Sequence, residues 1–142
     1  MAQQVMTPYG FGIQINTPYE RAIEKTKAAL KEQGFGVLTE IDVRKTLKEK
    51  LDVDFRPYVI LGACNPPLAH QAFQKELNIG LVLPCNVIVY REGEGSVVAA
   101  MDPEAAMGIT GNSDLESLAK EAKSRLAKAI DRVAAEDVSS AA

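Results

Sequence analysis

Apolar positions along this chain switch between a period of two and a period near 3.6, marking a succession of strands and amphipathic helices. Residues 11–15 alternate apolar with small or polar side chains and predict a first strand. Thr17-Pro18-Tyr19-Glu20 predicts a helix start, with Thr17 as cap, Pro18 in the first turn and Glu20 completing a capping box. Tyr19, Ile23, Thr26 and Leu30 fall on one face of that helix, and Gly34 ends it. Residues 36–41 read as a second strand. Asp42 then caps a short helix lined by Val43, Leu47 and Leu51.

Residues 58–63 form an apolar strand entered from Pro57, and Asn65 caps a third helix with proline in its first turn. Leu68, Ala69, Ala72, Phe73 and Leu77 face inward on this helix, with His70, Gln71, Gln74 and Lys75 on the wet side. The most apolar stretch, 79–90, reads as strand broken by Pro84, and Gly93-Glu94-Gly95 turns it into a hairpin with 96–101. Asp102-Pro103-Glu104 starts a helical turn, and 109–112 is a loop. Ser113-Asp114-Leu115-Glu116 forms a second capping box. It opens the longest helix, whose Leu115, Leu118, Ala119, Ala122, Leu126, Ala129, Ile130 and Val133 make a continuous stripe.

The order β-α-β-α-β-α-β-β-α, with its hairpin near the end, predicts an α+β domain with an at least partly antiparallel sheet. One domain is expected over 1–133, followed by a flexible tail over 134–142. Leu81-Val82-Leu83 and Val87-Ile88-Val89 are apolar on both strand faces. Helices can cover one face; the other needs a second cover, most simply a second copy of the chain in a homodimer. Pro84 cannot donate a ladder hydrogen bond and predicts a bulge or an edge beside Cys85.

Composition narrows the function classes. At 142 residues, with 46% hydrophobic and 25% charged residues, the chain is long enough for a core that needs no staples. Sixteen Lys plus Arg against nineteen Asp plus Glu give a net charge of -3, which argues against nucleic acid as a partner. Arg44, Lys45, Lys48 and Lys50 read as a solvated helix face. No apolar run reaches membrane-spanning length, and the first ten residues lack the pattern of a signal peptide. Two cysteines fit a reducing compartment, so a cytoplasmic location without membrane association is expected.

The chemistry available is thin. Both cysteines precede asparagine, in Gly-Ala-Cys64-Asn65-Pro66-Pro67 and Leu83-Pro84-Cys85-Asn86-Val87. Cys64 sits one residue before the predicted cap Asn65, where free N–H groups and the positive helix end can stabilise a thiolate. Pro66 and Pro67 remove donors from that turn, and a plain buried cysteine at a strand–helix junction is the alternative. Cys85, between Leu83 and Val87, is an inert thiol if the strand is dry. His70, the single histidine, falls on a wet face. Cys64, Cys85 and His70 are the weak candidates for a metal site, and their spacing matches no structural zinc pattern. Asp102 reads as a cap, and Met101 and Met107 as core filling or the lining of a ligand pocket. The glycines form neither a dinucleotide-binding nor a phosphate-cradling motif, and no nucleophile elbow appears, so no cofactor is indicated.

The segments Tyr58-Val-Ile-Leu-Gly-Ala-Cys-Asn-Pro-Pro-Leu-Ala69 and Ile79-Gly-Leu-Val-Leu-Pro-Cys-Asn-Val-Ile-Val-Tyr90, with Met101-Asp-Pro-Glu-Ala-Ala-Met107, resemble the signature of the Domain-of-Unknown-Function family 302. The resemblance runs from about Phe11 to Val133 and rests on Cys64, Asn65, Pro66, Pro84, Cys85 and Asn86. It implies an α+β fold with a curved, mainly antiparallel sheet packed by helices on one face, grouped with TATA-binding-protein-like folds, and a tendency to dimerise. It implies little about activity.

Three functional readings follow. The first is a homodimeric domain binding a small ligand or metal ion near Cys64, Asn65, Cys85, Asn86, Met101 and Met107. The second is thiol redox or sulfur-transfer chemistry at Cys64, with Cys85 as resolving partner. The third is a purely structural or interaction domain.

Overall fold

A computed structural model of the chain describes residues 3–137. Six strands, β1 (Gln3–Thr7), β2 (Gly10–Ile15), β3 (Gly36–Asp42), β4 (Tyr58–Cys64), β5 (Cys85–Glu92) and β6 (Gly95–Met101), form one open sheet. Its order is β1-β2-β6-β5-β4-β3, and every neighbouring pair is antiparallel. The helices are α1 (Tyr19–Glu32), α2 (Val43–Leu51), α3 (Pro66–Lys75), α4 (Pro103–Gly108) and α5 (Glu116–Ala135). The α+β architecture is therefore as the element order predicts.

Strand alternation divides the sheet into two chemically different faces. Ile13, Ile15, Val59, Leu61, Ala63, Cys85, Val87, Val89, Val98 and Ala100 point to one side. There they pack against Ala22, Ala29 and Leu30 of α1 and Leu126, Ala129, Ile130 and Val133 of α5. All eight predicted stripe residues of α5 are buried. A smaller cluster of Ala72, Ile79, Met107, Leu115, Leu118 and Ala119 ties α3 and α4 to the start of α5. The other face carries the cross-strand row Val5, Gly12, Ala99, Ile88, Ile60 and Ile41, an apolar line through all six strands. Gly12 is required in this row, because a Cβ there would collide with the backbone of Val98 and Ala99.

Several local expectations are corrected. β1 lacks apolar alternation and is mostly exposed; it exists through its ladder with β2. Thr17 does not cap α1. Its N–H and hydroxyl donate to Asp137 Oδ1 at 2.9 and 2.7 Å, and its carbonyl accepts from Ser96, so Pro18 takes the cap position. The second capping box also fails: Asn112 caps a 3-10 turn, Ser113–Leu115, that leads into α5. α2 does begin at Asp42, which accepts from the Lys45 N–H, but Leu51 is exposed and α2 buries none of its residues.

Residues 79–82 are not strand. Leu77–Val82 is a 3-10 helix, whose three-residue period turns Ile79 and Val82 inward. Leu81 is consequently 89% exposed and Leu77, past the end of α3, 80% exposed. Pro84 marks neither bulge nor edge. It follows a cis peptide bond just before β5, an interior strand, and the sheet's irregularity lies in β3 between Val37 and Thr39. Within the stretch expected as a tail, α5 continues to Ala135, and Asp137 accepts the Asn16 and Thr17 N–H groups. Residues 138–142 of that tail lie outside the described residues.

Candidate functional site

β4 and β5 lie side by side with Ala63 opposite Cys85 and Gly62 opposite Asn86. This register brings the two Cys-Asn segments together at one end of the sheet. Both cysteines are free thiols, Cys85 buried and Cys64 half-buried. Both line one cavity of about 280 Å³, walled also by Leu68, Ala69 and Phe73 of α3, Met107 of α4, and Leu118 and Ala122 of α5. No ionisable side chain other than the two thiols lines it. Burial first, then the nearness of Cys64, pushes the Cys85 thiol up to about 11, so it stays protonated at neutral pH.

The two asparagines separate. Asn65 is buried and committed to structure: Oδ1 accepts from the Leu68 N–H at 3.3 Å, and Nδ2 donates to the Gln33 carbonyl at 3.4 Å. The predicted cap therefore forms. Asn86 alternates with Cys85 along β5, so its exposed amide lies on the opposite sheet face. The methionines also part, Met107 lining the thiol cavity and Met101 a groove on the open face. Of the six predicted ligand residues, four converge at the cavity and two do not.

His70 is exposed on α3 and lines neither cavity. Among the described residues, no three His, Cys, Asp or Glu side chains gather as a metal site would need. Asp102 caps α4 through the Glu104 N–H and pairs with Lys123 at 2.9 Å. Among the described residues, no helix is long and apolar enough to cross a membrane.

The open-face groove, about 1010 Å³, was not visible in the sequence pattern. Tyr58 and Tyr90 face each other across β4 and β5 with parallel rings 5.2 Å apart, and Phe55 tilts against Tyr58 at 6.1 Å. Arg56 lies over the Tyr90 ring and pairs with Glu92. Tyr58 and Tyr90 end predicted apolar runs, but only the strand register shows that they meet.

An open antiparallel sheet with helices packed on one face and a nonpolar thiol-lined pocket at one end defines a small α+β domain. The chain belongs to the family described as Domain of unknown function DUF302, whose family model matches residues 11–133. The resemblance carried by the two Cys-Asn segments is thereby confirmed. The chain is similar to the uncharacterized conserved protein DUF302 from Bacillus stearothermophilus, known from a crystal structure. The two are 32% identical with a TM-score of 0.82, over 88% of this chain and 98% of that one. No functionally curated protein matches the chain.

Proposed function

We propose that this protein is a non-catalytic binding domain whose ligand is a small, uncharged, apolar molecule held in the thiol-lined pocket. One observation carries the reading: four residues singled out for ligand binding, Cys64, Asn65, Cys85 and Met107, line a single cavity without a charged wall. A volume near 280 Å³ lies at the small end of ligand sites, which favours a compact guest. Transfer of such a guest from water is driven by apolar burial, and the sulfurs of Cys64, Cys85 and Met107 add polarisable contacts. The thiol-chemistry reading has less support. Cys85 is held protonated, and the lone histidine lines neither cavity.

Titration of 15N-labelled protein with indole tests the proposal. Saturable shifts at the amides of Cys64, Ala69 and Ala122 are expected. They are lost in Ala69→Leu, which fills the cavity from a half-buried position on α3. Absence of saturable shifts there, or binding indifferent to Ala69→Leu in a folded variant, refutes it.

A further inference from the structure

The open face of the sheet carries features that neither the core nor the thiol pocket uses. Its groove is floored by small and apolar side chains, with Ala99 between Gly12 and Ile88 in the cross-strand row. Three phenols serve it: Tyr58 and Tyr90 on one side, and Tyr9 from the β1–β2 turn, 71% exposed, on the other. Among the described residues, none makes a hydrogen bond to any of these three hydroxyls. Tyr9 is near enough to Tyr58 to help raise its pKa, after burial and Tyr90. The exposed Asn86 amide adds a fourth polar group.

Charge restricts the occupant. The charged side chains lining the groove are Arg56 and Glu92, and they neutralise each other at 2.6 Å. No free ion therefore awaits a counter-ion. Shape restricts it further: the floor is a sheet surface, and the Tyr58–Tyr90 stack on its wall gives a flat molecule aromatic surface to meet. Leu81 and Ile109, 89% and 79% exposed, leave apolar rim in water that a bound molecule would cover.

We infer that this face is a second ligand site, for an uncharged aromatic molecule bearing a hydroxyl or carbonyl oxygen, seated on Ala99 and Ile88 with its oxygen at Tyr58 and Tyr90. A second copy of the chain fits less well. A two-fold pairing of this face with itself sets concavity against concavity and encloses space instead of filling it. The site is distinct from the thiol pocket, although both are bounded by Leu83 and Pro84.

The probe is 2-naphthol, with naphthalene as control, titrated into 15N-labelled protein. Saturable shifts are expected at the amides of Gly12, Ile88, Tyr90 and Ala99. Ala99→Phe should weaken binding at least tenfold at an unchanged melting temperature. The double change Tyr58→Phe and Tyr90→Phe should weaken 2-naphthol about fivefold, as loss of a hydrogen bond predicts, and leave naphthalene unaffected. Should Ala99→Phe not fold, the tyrosine pair decides alone. Shifts confined to Cys64, Ala69 and Ala122 overturn this site while supporting the thiol pocket. A dimer in sedimentation that excludes 2-naphthol and dissociates in Ala99→Phe also overturns it, in favour of the second copy.

Discussion

The two faces of the sheet are built from the same strands, yet they solve different problems. On β4, Leu61 is fully buried against the helix layer, while Ile60, its neighbour, looks out from the open face and stays half-buried. On β5, Val87 and Val89 are sealed and Ile88 is not. The covered face derives its energy from close packing by α1 and α5. The open face keeps an apolar row, through Ala99, Ile88 and Ile60, where its own helices do not cover it. Burial on one side fixes the register of every strand, so the other side receives its side chains as a consequence.

The largest effect that would break this contrast is in the paired changes Leu61→Ala and Ile60→Ala. The first should destabilise by about 2–5 kcal/mol and the second by less than about 2, measured by urea unfolding. Equal losses would mean that something covers the open face in solution. Second in size is the pH response of the covered face. Cys85 keeps its proton up to about 11 when folded and loses it near 9 when unfolded. The unfolded chain therefore releases the proton first, and stability falls as pH rises from 9 to 11, by on the order of 2–3 kcal/mol. Cys85→Ala should lack this part of the alkaline loss, read from melting curves across that range.

Gly12→Ala sharpens the contrast from the open side. Its new methyl meets the β6 backbone, which cannot yield, so a loss of about 1–3 kcal/mol is expected despite the groove above. The smallest effect separates the two Cys-Asn segments. Asn65→Ala removes a cap and should cost about 1 kcal/mol, whereas Asn86→Ala should stay within about 0.5 in thermal unfolding.

Much of this was legible beforehand, for identifiable reasons. The α5 stripe, the Asp42, Asn65 and Asp102 caps, and the Gly93 hairpin are set by neighbours in sequence, and local patterns report them. The local pattern predicts a cap at Thr17, but Asp137, 120 positions away, takes its N–H and hydroxyl instead. Residues 79–82 read as strand because a short apolar run suits strand and helix alike, and packing of Ile79 selects the 3-10 helix. Half of the site followed the same rule. Cys64, Asn65 and Cys85 were found as motifs, while the tyrosines needed the pairing of β4 with β5 to become a group.

The strand order also bears on how the chain reaches this state. β3 to β6 form a run in which each strand pairs with its sequence neighbour, so the meander can assemble by short-range closures. The β1–β2 hairpin is equally local, but it joins the sheet only through β2 and β6, where Ile13 meets Val98 across most of the chain. Closing that long loop costs entropy before any contact repays it. The seam between β2 and β6 is therefore the expected slow step of folding, and the place where a half-assembled chain would expose an unpaired edge to other molecules.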